Sequence, residues 1–210
     1  MVQPKVLGLI PARAGSKGIP RKNIAPVASH PLIAWSIMAA KQSKKLDRVI
    51  VSTDSKEIAD VARKYDAEVP FLRPKEFARD ESSSEEAAIH ALGWLDENEE
   101  YIPDYLLYLQ PTSPLRTAED IDNSIQLAKD KNADAVLSVM PVNRHPYFMK
   151  TVDFEGRLRH FTKQQKPVPR RQELPPLYTL NGAIFLVRRE ILLKRQDWYG
   201  DSNQNGVSQT

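Results

Sequence analysis

The chain has 210 residues, with 30 Lys and Arg against 27 Asp and Glu, a net charge of +3 and a pI near 9.0; the cations are intermixed with acids, so a small anionic substrate accounts for them as well as nucleic acid would. Zero cysteines exclude disulfides, thiolate metal sites and cysteine nucleophiles, and fit a reducing cytoplasm. A hydrophobic fraction of 41% suits one globular domain, no apolar run approaches the roughly 18 residues of a membrane span, and the amino terminus lacks a signal peptide's apolar stretch.

The first predicted strand, Val6–Ile10, runs into a loop reading Ile10-Pro11-Ala12-Arg13-Ala14-Gly15-Ser16-Lys17-Gly18-Ile19-Pro20-Arg21-Lys22-Asn23. Two glycines let the backbone turn its N–H groups toward an anion, and the four cations of the loop neutralise charge, so it suits a triphosphate. Its place after an apolar strand strengthens that reading, because ligands of open α/β sheets collect beyond the carboxyl ends of the strands. It is neither a Walker A loop nor a dinucleotide fingerprint, which counts against an ATPase and a dehydrogenase.

Ile33, Ile37 and Ala40 have helical spacing, followed by a strand at Arg48–Ser52 and a helix through Ile58, Val61, Ala62 and Tyr65. Asp54 with Glu57, Ser82 with Glu85, and Thr117 with Asp120 each offer a capping oxygen and an acid three residues on. Asp80, near Ser82 and Ser83, is read mainly with this helix start. A strand at Tyr105–Leu109 leads into Gln110-Pro111-Thr112-Ser113-Pro114-Leu115-Arg116, where two prolines fix the turn and present an amide and hydroxyls at the strand's carboxyl end, groups that match a polyhydroxy sugar. A rigid strand-to-helix connection explains the prolines equally. Ile121, Ile125 and Ala128 mark the next helix, and strands follow at Ala135–Val139 and Ala183–Val187. Alternating strands and helices predict an α/β three-layer sandwich with a mostly parallel, Rossmann-like sheet. Residues 141–176 break the pattern with prolines and few apolar pairs, too long a segment for an ordinary connection. His145 within it reads as a packed or solvent-facing histidine. Residues 200–210 are polar and aperiodic and read as a disordered tail after a single domain spanning 1–199.

The glycine loop and the Leu-Gln-Pro-Thr-Ser-Pro-Leu-Arg turn together resemble the sialic acid (N-acylneuraminate) cytidylyltransferases, whose relatives activate other nine-carbon acid sugars and the eight-carbon sugar Kdo. The likeness runs from about Val6 to Tyr199. It implies a nucleotide-diphospho-sugar transferase-like fold and the joining of CTP to a nine-carbon acid sugar such as N-acetylneuraminate, with loss of pyrophosphate. Arg13, Ser16, Lys17, Lys22, Asn23 and Arg73 stand at the family's nucleotide-contacting positions. Gln110, Thr112, Ser113, Lys150, Arg171, Asn181, Phe185, Trp198 and Tyr199 stand at its sugar-contacting ones, although Trp198 and Tyr199 suit a core anchor as well. Arg13, Lys22 and Gln110 carry the catalytic expectation. The family also implies Mg²⁺, a dimerisation arm over 141–176 and hence a homodimer, with no nucleic acid and no membrane among the partners. Kdo enzymes carry a Gly-Asp element in place of the Gln-Pro-Thr-Ser-Pro turn, which argues against Kdo. Family members continue past Tyr199 into a D-x-D pair that binds Mg²⁺. None occurs in 200–210, where Asp201 is a lone carboxylate, so a nucleotide- or sugar-binding paralogue without the metal carboxylates, or a Kdo-type enzyme, stands as the alternative.

Overall fold

The structure, a computed structural model, describes residues 4–15, 18–162, 170, 173–199 and 206–209. β1 (Val6–Pro11) begins the sheet, and a short hairpin of β2 (Pro26–Val27) and β3 (His30–Pro31) leads into α1 (Leu32–Gln42). β4 (Arg48–Ser52), α2 (Lys56–Lys64), α3 (Ser84–Glu99), β5 (Tyr105–Tyr108), α4 (Ala118–Lys131) and β6 (Ala135–Pro141) follow. After a hairpin of β7 (Lys150–Val152) and β8 (Leu158–His160) come β9 (Tyr178–Arg188), α5 (Arg189–Arg195) and β10 (Gly206–Gln209).

The chain divides into two compact units, one formed by residues 1–138 with 182–210 and a smaller one formed by Val139–Asn181. The larger unit is built on a six-stranded sheet in the order β10-β6-β9-β5-β1-β4. β1 pairs in parallel with β4 and with β5. Alternate residues of β1 face opposite sides: Val6 and Ile10 join a core containing Ile33, Ile37, Ile58 and Ile121 from α1, α2 and α4. Leu7 and Leu9 join a second core with Ala88, Leu92 and Leu95 of α3 and Leu192 of α5. The strand reads as a continuous apolar run because both faces are covered. Each fully buried leucine contributes about 1.5–3 kcal/mol, several times an exposed pair such as Arg63–Asp60, which is worth about 0.3–0.5 kcal/mol. The three layers are therefore set by burial rather than by surface charge.

Two helix starts differ from the sequence expectation. Ser55, not Asp54, caps α2, accepting from the Ile58 N–H at 3.3 Å; the Asp54 carboxylate is drawn instead to the Ala14 N–H at 2.8 Å. Ser83 and Glu86 form the capping box of α3, while Ser82 turns back to donate to the Glu76 carbonyl and accept from the Arg79 N–H. In both places two adjacent residues can cap, and a partner outside the helix decides between them: the Ala14 N–H for Asp54, 40 residues away, and Glu76 and Arg79 of the preceding turn for Ser82. Thr117 and Asp120 form the expected box at α4.

β9 starts earlier than its apolar run, and it runs antiparallel to β5, with Tyr105 opposite Arg188 and Tyr108 opposite Phe185. Its first three residues are exposed, so they carry no apolar alternation to read. No α-helix lies between β6 and β9 among the described residues, and a parallel return normally needs such a crossover. The polar tail also differs: Gly206–Gln209 form the edge strand β10. An edge strand is held by backbone hydrogen bonds on one side and needs no apolar pattern.

The smaller unit holds the β7–β8 hairpin, closed by Asp153, which accepts from the Glu155 and Arg157 N–H groups at 3.1 and 2.9 Å. Phe154 at 98% exposure, with Leu158 and Phe161, leaves apolar surface uncovered on this unit.

Loss of a capping side chain costs about 1 kcal/mol. Thr117→Ala and Ser83→Ala are each expected to lower the unfolding free energy by that amount in urea titrations, and an unchanged midpoint would remove the residue from its cap.

Candidate active site

Because β1, β4 and β5 run in parallel, the segments that follow them leave by the same edge of the sheet. The loop after β1 and the turn after β5 meet around a cavity of about 600 Å³ lined by Arg13, Lys22, Asn23, Gln110 and Thr112, and by Arg73 from the segment after α2, which bridges the end of β4 in parallel at Thr53–Leu72. All six come from the segments flagged in the sequence, and all lie in the larger unit.

The glycine loop is fastened at both ends. Its start is held by the Ala12 N–H donating to the Ser52 carbonyl at 2.9 Å and by Asp54 on the Ala14 N–H. The far end closes in a 3-10 turn at Lys22–Ile24, entered through Arg21 at φ 54°. Buried Asn23 ties the two ends together, its Nδ2 donating to the Arg13 carbonyl at 3.0 Å. Ser16 and Lys17 lie outside the described residues.

Arg13 reaches across the cavity wall. Its Nη1 donates to the Arg79 carbonyl at 2.5 Å and its Nη2 pairs with Asp80 at 2.7 Å. Asp80 thus serves Arg13 as well as standing near the start of α3. Arg73 is only 6% exposed. Its Nη2 donates to the Ser52 carbonyl at 3.2 Å and its Nη1 to the Phe77 carbonyl at 3.4 Å. Burial pulls its pKa below the usual arginine value. Among the described residues no carboxylate hydrogen-bonds to it, so an incoming anion would supply the missing counter-charge. Tyr108, also on the cavity wall, has its phenol pushed up by burial, with Arg73 opposing the shift.

The turn after β5 is held from behind. The Gln110 carbonyl accepts from Ser36 Oγ at 3.3 Å and from both Nη atoms of Arg116 at 3.3 and 3.4 Å. Thr112 Oγ1 donates to Gln110 Oε1 at 3.4 Å. The sequence reading assigned Arg116, Arg79 and Tyr108 no role at the site, and Asp54 only the role of a helix cap. Arg116 ends a turn already singled out, but nothing local tells that its side chain is buried.

The sugar-contacting set is not gathered in the same way. Ser113 is beside the cavity but is not among its lining residues. Phe185 packs against the second core. Trp198 is buried in that core, its ring 4.8 Å from Tyr108 and 5.9 Å from Phe185, with its Nε1 donating to Ser84 Oγ at 2.9 Å. It thus holds the core-anchor position, while Tyr199 is half exposed. Lys150 and Asn181 belong to the smaller unit, where the Lys150 Nζ sits 2.8 Å from His160 Nδ1. Arg171 lies outside the described residues. His145 is buried and accepts from the Tyr147 N–H at 3.2 Å, capping a short turn.

The donor set does not by itself fit Mg²⁺. Such sites draw on one or two carboxylates plus phosphate oxygens and water. Asp80 is the one carboxylate among the described lining residues and is held by Arg13, and no cluster of three acidic or histidine ligands exists among the described residues.

Comparison with known proteins agrees with the fold. The cytidylyltransferase family matches residues 7–200. The chain is 35% identical to the CMP-N,N'-diacetyllegionaminic acid synthase of Legionella pneumophila, over 98% of this chain and 89% of that protein. It is 33% identical to an N-acylneuraminate cytidylyltransferase of Escherichia coli, over 95% of this chain and 46% of the longer relative. A solved CMP:2-keto-3-deoxy-manno-octonic acid synthetase complexed with CTP shares the fold, with a TM-score of 0.69 at 18% identity, covering 98% of this chain and 90% of that one. With the family matched over nearly its whole length and a relative more than a third identical, the chain belongs to the cytidylyltransferase family.

Proposed function

We propose that the chain joins CTP to a nine-carbon acid sugar, N-acetylneuraminate or a related nonulosonate such as legionaminate, giving the CMP-sugar and pyrophosphate. The observation that carries this reading is the cavity that brings Arg13, Lys22, Asn23 and Arg73 together with Gln110 and Thr112. It joins an anion-binding loop to a turn of neutral hydrogen-bonding groups, as a triphosphate and a polyhydroxy sugar require.

The sugar's anomeric hydroxyl attacks the α-phosphorus of CTP in line. The new P–O bond forms as the bond to the bridging oxygen breaks; pyrophosphate leaves with the electron pair, and the hydroxyl proton passes to solvent. Arg13 and Lys22 hold the phosphates and offset the charge that develops on the leaving group, with Ser16 and Lys17 extending the same loop. Asn23 and Arg73 contact the nucleotide. Gln110, with Thr112 and Ser113, orients the sugar. Phe185 and Tyr199 complete the sugar side, with Trp198 packed against Tyr108 of the cavity wall. Placement and charge carry the catalysis, without a covalent enzyme intermediate.

The Arg13–Asp80 pair is 31% and 38% exposed on its two side chains, and such pairs contribute about 1 kcal/mol or less. A charge-assisted contact to phosphate contributes about 1.5–3 kcal/mol, so the ligand outcompetes the carboxylate for the guanidinium.

The apolar surface left by Phe154, Leu158 and Phe161 on the smaller unit supports assembly with a second copy of the chain. Among the described residues no helix is long and apolar enough to cross a membrane. The cytoplasm, where CTP is available, is the proposed compartment.

Pyrophosphate release from CTP plus N-acetylneuraminate is the direct assay, with legionaminate and Kdo as comparison sugars. Arg13→Ala is expected to lower turnover at least about tenfold, the equivalent of one charged contact; undiminished turnover would take Arg13 out of the site. In sedimentation runs the wild type is expected as a dimer and Phe154→Glu as a monomer. A wild-type monomer, or an unaffected Phe154→Glu dimer, would contradict assembly through this surface.

A further inference from the structure

Arg116 stands behind the Gln110 turn rather than in the cavity wall. It is 6% exposed and reaches three elements at once. Nη1 donates to the Ala183 carbonyl of β9 at 2.8 Å and to the Gln110 carbonyl at 3.3 Å. Nη2 donates to Ser36 Oγ of α1 at 2.7 Å and to the Gln110 carbonyl at 3.4 Å. Among the described residues no carboxylate hydrogen-bonds to this guanidinium. Asp120 acts on it only through space, and a buried charge without a hydrogen-bonded ion partner is a poor stabiliser compared with an apolar side chain of similar volume, so stability alone does not account for an arginine at this position.

Geometry does account for it. The Gln110 side chain lies beside β9, where a Cβ added at Gly182 would stand 3.9 Å from Gln110 Oε1 and 4.0 Å from Ser113 Oγ. The two backbones bordering that amide are the turn at Gln110 and the strand at Ala183, and one planar fork holds a carbonyl of each. We propose that Arg116 is a positioning residue for the proposed reaction, a staple that fixes the Gln110 amide between the turn and β9 in the orientation that meets the sugar. A lysine cannot replace it, because a single ammonium on a flexible stem does not hold several acceptors in one plane. The role of Gln110 rests on the function proposed above; the staple itself does not.

Arg116→Lys tests both parts in the full-length protein. Native-state hydrogen exchange reads the staple directly through the Ser113 N–H, which donates to the Gln110 carbonyl at 3.2 Å. Its exchange is expected to accelerate about tenfold or more, while Ile125 on α4 exchanges as in the wild type. Unchanged protection at Ser113 overturns the staple whatever chemistry the site performs. In the pyrophosphate assay with CTP and N-acetylneuraminate, the variant is expected to lose about tenfold or more in kcat, with the KM for CTP within about twofold of wild type. Wild-type kcat, or a KM for CTP that rises as kcat falls, overturns the positioning role. Should Arg116→Lys fail to fold, Arg116→Met, of similar volume and uncharged, is read by the same two measurements. A wild type that releases no pyrophosphate removes the proposed function and the sugar-orienting role together, and the exchange result then decides the staple alone.

Discussion

Everything at the site follows from the parallel pairing of β1 with β4 and β5. Parallel neighbours end at one edge, so the loop after β1 and the turn after β5 emerge side by side, and the segment after α2, bridged in parallel at Thr53–Leu72, brings Arg73 to the same edge. The apolar runs that make these strands are buried on both faces, and that burial fixes their register. A glycine-rich loop, a buried arginine and a proline-braced turn, separated by many residues in the chain, thereby share one cavity. None of these segments is a site by itself; the sheet makes them one.

Charge at this edge is arranged for a ligand rather than for the empty protein. Arg73 and Arg116 are both buried, and burial pulls both below the usual arginine pKa, Arg116 to about 10. Both spend their donors on backbone carbonyls and hydroxyls and not on acids. The two do different things. Arg73 lines the cavity, where an anion can complete its surroundings, while Arg116 lies behind the turn and sets its shape. Arg13, by contrast, is partly exposed and keeps an exchangeable carboxylate partner in Asp80. In the proposed reaction, one fixed cation and one that can change partner would hold the triphosphate between them.

Strands and helices of the larger unit were legible in the sequence because continuous apolar runs and helical spacing both report burial. The two signatures that meet at the cavity were equally legible: the glycine loop and the Gln-Pro-Thr-Ser-Pro turn are local signals, and the fold brings them together. What could not be read depended on distant partners. Asp54 and Ser55 are both competent caps, and only the Ala14 N–H, 40 residues away, decides between them. Arg116 finds its acceptors 80 and 67 residues away, at Ser36 and Ala183. The direction of β9 was hidden because an apolar alternation is the same read either way. Trp198 was ambiguous for a related reason, since an indole suits a sugar face and a core equally, and contact with Tyr108 and Phe185 resolves it toward the core.

The central claim, that the cavity at the carboxyl ends of β1, β4 and β5 is where a cytidine triphosphate is held, is tested most directly by a crystal structure of the protein with CTP. The account predicts phosphate oxygens within hydrogen-bonding distance of Arg13 and Lys22, with the nucleoside against Asn23 and Arg73. Density for the nucleotide at any other place, with this cavity filled only by solvent, would contradict it.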